Sequence, residues 1–165
     1  DSGEEKWVCV HIEVQAEPEQ SFPARMFRYN YRIYDRYQRS VASLAILADE
    51  NPDWRPDSFG YALFECRVGI RFPTVKLLEY NDQLEELLES DNPFALVTAA
   101  HLQTQQTRDD ATSRYDAKWE LTKMLSRRGW NRKRIVQLFR VINWLLQLPK
   151  PLEDKLMTNK MEYEE

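Results

Sequence analysis

The segment His11-Ile-Glu-Val-Gln15 places a carboxylate and an amide two residues apart, and a run of arginines begins at Arg25. Residues two apart on a strand share a face, so His11, Glu13 and Gln15 form one polar row with Cys9 beside them. The Glu13 carboxylate and the backbone carbonyl of Val14 can both face one hard cation such as Mg²⁺ or Mn²⁺. Such cations prefer oxygen ligands and retain several waters. Gln15 is neutral and cannot act as a base. It can hold a water while the metal lowers that water's pKa and offsets charge on a phosphate. The same row also reads as a solvated strand face, with His11 hydrogen-bonded to a neighbour.

The arginines give the second candidate. Phe22, Met26, Tyr29, Ile33 and Tyr37 recur at helical spacing and are expected to form a buried stripe. Arg25, Arg28, Arg32, Arg36 and Arg39 keep a similar spacing on another face, interrupted by negative charge only at Asp35. A helix directly following the Glu-x-Gln strand packs beside it. Arg25, Arg28 and Arg32 could then hold phosphates of a DNA backbone bidentately near a metal. A solvated helix face produces the same spacing.

The elements that would position these groups follow from periodicity and turn chemistry. Residues 7–15 alternate as a strand with one buried face, with Val8, Val10, Ile12 and Val14 on the apolar side. Ser21 reads as an N-cap and Pro23 fits a first turn, so a helix should start near Phe22. "VASLAILA", residues 41–48, reads as a strand covered on both faces. Strand, helix and buried strand make a right-handed βαβ crossover with parallel pairing. "DENPDWRPDSFGY" reads as a loop, and "ALFECRV" and "TVKLLEY" as two short strands toward an edge.

From residue 82 the pattern is helical: a short acidic helix in "DQLEELLE", one from "NPFALVTAAHLQTQ", then residues 111–127 and 131–148. Gly129 ends the first of the longer pair, Pro149 and Pro151 stop the second, and a polar helix starts at Leu152. The expected class is α/β, a small mixed sheet with a βαβ crossover plus a C-terminal helical region. Residues 1–80 would form the α/β core and 81–165 the helices packed on it.

With 165 residues the chain suffices for one core, and its net charge of −4 requires any anion site to be local. Cys9 and Cys66 lack metal-ligand spacing and suggest a reducing compartment without a disulfide framework. No apolar run is long enough to span a membrane and the start lacks signal-peptide features, so no membrane partner and a cytoplasmic location are expected. The chain lacks an initiator Met and opens almost at a strand, so an upstream part is expected. His11 and His101 have no companions for a zinc site. "LSRRGWNRKRIVQLFRVI" has the outline of a helix-turn-helix. Its apolar continuation through Phe139, Ile142, Leu145 and Leu146 instead suits a helical hairpin, with Trp119, Trp130 and Trp144 in core or interface packing. Arg127, Arg128, Arg132, Lys133 and Arg134 at its junction could still touch a DNA backbone.

"HIEVQ" followed by "FPARMFRYNYRIYDRY", "VASLAILAD" and "FGYALFECRVGIRFPTVKLLEY" resembles the Rpn/YhgA-like family of recombination-promoting nucleases and transposases, placed in the PD-(D/E)XK superfamily. The likeness runs on to "RGWNRKRIVQLFRVINWLLQLP". It implies a restriction-endonuclease-like core, N-terminally incomplete here, that cleaves DNA with Mg²⁺ or Mn²⁺. On that resemblance Glu13 is the acidic metal ligand and Val14 adds its carbonyl. Gln15 stands where the superfamily usually has Lys, and Arg25 and Tyr29 match supporting positions on the next helix. The superfamily also needs an Asp on the preceding strand, for which this chain starts too late. Asp1, in the turn-like "DSGEEK", is not assigned that role. Weak or absent activity is therefore expected. The alternative is a non-catalytic relative, a protein-interaction module whose helical half self-associates as a homo-oligomer.

Overall fold

The computed structural model of the chain describes residues 7–164. The class is mixed α/β, in two compact units that divide between Glu79 and Tyr80. "DSGEEK" and the turn expected there lie outside the described residues.

In the first unit, β1 (Cys9–Gln15) leads through α1 (Phe22–Tyr37) to β2 (Val41–Leu47). A hairpin of β3 (Ser58–Leu63) and β4 (Cys66–Arg71) follows, then β5 (Thr74–Lys76); a 3-10 segment at Leu77–Gln83 runs from this unit into the next. β1, β2 and β5 form a three-stranded sheet in that order, with both pairings parallel. The βαβ unit is thus present. The expected strand in "ALFECRV" is instead the end of β3, a turn and the start of β4. β3 and β4 pair with each other in a separate two-stranded sheet. "TVKLLEY" gives only three strand residues before it coils into the 3-10 segment.

Register decides which face of β1 is covered. His11 lies opposite Ser43, Glu13 opposite Ala45 and Gln15 opposite Leu47, so the polar row of β1 shares a face with the inward row of β2. That is the face on which Phe22 and Met26 of α1 pack against Ala45, Leu47 and Phe72, with Trp54 and Ile70 at the margin. Burial of each large apolar side chain there stabilises the fold by about 1.5–3 kcal/mol. The polar row is consequently half-buried, while Val8, Val10, Ile12 and Val14 are exposed, reversing the expected sides. β2 is likewise covered on one face: Ser43, Ala45 and Leu47 are buried, Ala42 is exposed, and Leu44 and Ile46 are intermediate.

Helix α1 departs from expectation at both ends of its stripe. Ser21 is the N-cap residue, but its hydroxyl bonds to Glu19 rather than capping the first turn. Only Phe22 and Met26 are buried. Ile33 is intermediate, and Tyr29 and Tyr37 are exposed, because the sheet beneath covers only the first turns.

The second unit is helical: α2 (Leu84–Glu89), α3 (Pro93–Gln106), α4 (Ala111–Arg127), α5 (Arg132–Leu145) and α6 (Lys150–Glu164). Asn92, Asp110 and Asn131 cap α3, α4 and α5 by accepting first-turn N–H groups. α4 ends at Arg127 with Arg128 as its C-cap, and Gly129 directly follows the cap as expected. Pro151 lies in the first turn of α6, a position proline tolerates, and therefore does not separate the helices. Leu96, Ala100, Leu121, Leu125, Leu138, Ile142 and Leu146 form the core, so α4 and α5 are the hairpin that the apolar pattern suggested. Trp144 is 70% exposed and takes no part in that core.

Candidate functional site

The helix-covered face of β1 carries a continuous polar network. Arg25, one turn into α1, reaches back across the strand with all three guanidinium nitrogens. Its Nε donates to Glu13 Oε1 at 2.6 Å, Nη1 to Glu19 Oε2 at 2.5 Å, and Nη2 to Gln15 Oε1. The second Glu13 oxygen lies 3.4 Å from His11 Nε2. His11 Nδ1 is 3.0 Å from Ser43 Oγ, which also accepts from Asn30 Nδ2 at 3.0 Å. The assignment satisfying every member has the Ser43 hydroxyl donating to Nδ1 and the Nε2 proton facing Glu13. Tyr29 packs edge-on against the His11 ring, with centroids 5.7 Å apart.

The order serine, histidine, carboxylate is that of a nucleophile relay. Ser43 is buried and already holds Asn30, so the chain of bonds here supports the Glu13 side chain instead. Asn30 also donates to the Val41 carbonyl at 3.1 Å, fixing α1 against the start of β2.

Electrostatics concentrate on Arg25. Glu19 is the largest influence holding its guanidinium more firmly protonated, partly opposed by desolvation and reinforced by Glu13. Glu19 in turn titrates below its ordinary value, chiefly because the Ser21 hydroxyl donates to it and then because Arg25 does. The Glu13 and Arg25 side chains keep 16% and 23% of their exposure, so the pair is reached by solvent from one side.

Backbone direction adds a further oxygen. The Ala48 N–H donates to the Gln15 carbonyl at 2.8 Å, and the Cys9 N–H donates to the Ser40 carbonyl at 3.3 Å. Residues 9 and 15 therefore bond toward β2. By strand alternation the Val14 carbonyl faces the opposite, outer edge of β1. β1 is an edge strand of its sheet among the described residues.

The structure thus brings together His11, Glu13, Gln15, Arg25 and Tyr29. Arg28 and Arg32 are exposed further along α1 and take no part in the network. Arg39 lies beyond the last residue of the helix. Gln15 is engaged at both ends of its amide, accepting from Arg25 and donating to the Glu17 carbonyl at 2.7 Å. Glu19, Asn30 and Ser43 belong to the same cluster, yet none carries a pattern that marks it in the sequence, since contact depends on register and helix placement. At the α4–α5 junction Arg128 donates to the Ser90 and Leu88 carbonyls, and Arg127 donates to Tyr163 Oη at 2.8 Å. Arg132, Lys133 and Arg134 remain exposed.

No group of three or more His, Cys, Asp or Glu side chains is placed to hold a metal ion among the described residues. The oxygen donors present are the Glu13 carboxylate, the Val14 carbonyl and the Gln15 amide oxygen. That is the donor class a hard divalent cation takes. It offers a single negative charge, already met by Arg25. The residues fit such an ion in kind. No family model, curated protein or solved structure matches the chain.

Proposed function

We propose that the chain is a metal-dependent DNA endonuclease of the recombination-promoting type with low activity, its site lying on the helix-covered face of β1. The observation that carries this reading is the Glu13–Arg25 pair, a half-buried carboxylate held at 2.6 Å on the helix whose next turns expose Arg28 and Arg32. Glu13 and the Val14 carbonyl would hold Mg²⁺ or Mn²⁺, which supplies charge stabilisation at the phosphate when bound. Arg25 fixes Glu13 and Gln15 in place and balances the carboxylate when no cation is held. Gln15, released from Arg25, orients a water. Arg28 and Arg32 hold backbone phosphates, and His11 with Tyr29 keeps the Glu13 side chain against the strand.

The test is plasmid nicking with Mg²⁺ or Mn²⁺ by the chain, its Glu13→Ala variant and an EDTA control. Slow nicking that either control abolishes is expected. Nicking indifferent to both, or no nicking by a folded protein, overturns the reading.

One observation favours a second reading. In the helical unit Phe94 is 75% and Trp144 70% exposed, with Val136 and Val141 also exposed. Aromatic side chains are enriched at protein interfaces, which suits a non-catalytic interaction module that self-associates. Sedimentation of the protein and its Trp144→Ala variant tests this, with a concentration-dependent dimer lost in the variant as the supporting result.

A further inference from the structure

The β3–β4 hairpin ends in an unusual tip. Leu63 pairs with Cys66, which leaves Phe64 and Glu65 as a two-residue loop. Such loops require a left-handed backbone that Gly, Asn or Asp normally provides, because the turn must follow the twist of the strands. Here Phe64 takes it, at φ 53°, and the residue is 97% exposed. A bulky side chain is thus held in a backbone conformation it disfavours and gains no packing in return. Leu63 beside it is also exposed.

The remainder of the hairpin shows what this tip faces. One side of the ribbon is aromatic and anchored: Phe59 packs on Phe27 of α1 with centroids 5.4 Å apart, and Tyr61 meets Phe59 edge-on. That contact fixes the hairpin to the helix bearing the exposed Arg28 and Arg32. On the other side, pairing places Arg71 opposite Ser58, Gly69 opposite Gly60 and Arg67 opposite Ala62. A side chain at Gly69 would begin 3.0 Å from the Phe59 carbonyl oxygen, and one at Gly60 3.1 Å from that of Val68. This side is consequently smooth, with two exposed arginines standing above it.

We infer that the hairpin is a DNA-distorting wedge: Leu63 and Phe64 enter between stacked bases while Arg67, Arg71 and the α1 arginines hold the flanking phosphates. Apolar wedges that unstack a base step are an established way for proteins to kink a duplex. The arginines on both supporting surfaces select a polyanion as the occupant, in preference to an uncharged protein groove. Glu65 shares the loop and opposes phosphate approach, so its removal tightens binding. The inference rests on the nuclease reading for the identity of the ligand and adds to it how the duplex is engaged.

The experiment uses the whole chain with a duplex carrying 2-aminopurine, whose fluorescence rises on unstacking, and follows affinity by anisotropy. The protein is expected to raise the fluorescence. Phe64→Gly, which suits the left-handed backbone and keeps the fold, abolishes the rise and weakens binding by about five- to 150-fold, the range for one lost aromatic stack. Phe64→Trp retains the rise, and Glu65→Gln binds more tightly. An unchanged rise in Phe64→Gly, no rise with the unaltered protein, or no duplex binding overturns the wedge. So does Phe64-dependent partition onto phosphatidylserine vesicles without a rise on DNA. The two ideas separate cleanly. A Phe64-dependent rise without nicking removes the nuclease reading and leaves the wedge. Metal-dependent nicking without such a rise removes the wedge and leaves the nuclease.

Discussion

Asp49 and Glu13 are two carboxylates of the same unit, each facing a cation at 2.6 Å, and their surroundings differ in kind. Lys76 Nζ donates to both Asp49 oxygens at 2.6 Å and to the Trp54 carbonyl at 3.3 Å, and lies over the Trp54 ring. Both members are sealed from water. Arg25, by contrast, divides its guanidinium among Glu13, Gln15 and Glu19, and the group stays open on one side. A closed pair has no other partner to take and serves the fold. A shared, half-open pair can exchange a partner for a metal or a phosphate, which is the property a site needs.

The largest effect is expected at the sealed pair. Asp49→Ala strands the Lys76 ammonium in the interior and is expected to cost about 3–5 kcal/mol in urea unfolding. Replacing both members, as Asp49→Leu with Lys76→Met, is expected to recover most of that loss, because the uncompensated charge disappears. A small loss in the single variant would show that the pair is not sealed.

The Lys118–Glu153 pair is intermediate between the two. Lys118 is fully buried in the helical unit, yet its partner Glu153, at 2.6 Å, is partly exposed. Glu153→Ala is expected to cost about 2 kcal/mol, below the sealed pair, since removing the partly exposed carboxylate opens the Lys118 ammonium to water. The same urea titration reads it.

Glu13→Ala should have a smaller effect on stability, about 1 kcal/mol or less, because solvent already screens the pair and Arg25 keeps Glu19. Its expected loss of nicking is complete. Large destabilisation with nicking retained would invert the roles assigned to the two carboxylates.

The smallest effect is a pH dependence. Glu19 titrates lower in the folded protein than its ordinary 4.5, so its contribution to stability is present above that value and fades as pH falls through the folded-state pKa. The stability difference between the protein and Glu19→Gln is therefore expected to shrink on acidification from neutral pH. A difference that grew toward acid would mean that Glu19 is not held by Ser21 and Arg25.

Several elements were legible because their signals are local. Pro23 set the start of α1 at Phe22, and the bounds of α4 at Ala111–Arg127 agree with the stretch expected from its helical pattern. The β3–β4 hairpin was illegible for the converse reason. Its turn, Phe64-Glu65, carries none of the Gly, Asn or Pro chemistry that announces a reversal, so a turn inside "ALFECRV" reads as continuous strand. The candidate site divides the same way. His11, Glu13 and Gln15 on one side of a strand follow from alternation, whereas Arg25 turning inward to hold them does not follow from the spacing of the arginines.

By itself, the sequence determined the alternation of β1, the parallel βαβ unit, the helical second half and the residues available for chemistry. These depend on periods and breakers that act over a few residues. Only the tertiary structure decided that the polar side of β1 is the covered one, that Ser43 and Asn30 support Glu13, and that the Asp49–Lys76 pair is closed. A strand's pattern fixes which residues share a face. Which face is covered depends on where the neighbouring strand's register and the helix's first turns bring their apolar side chains.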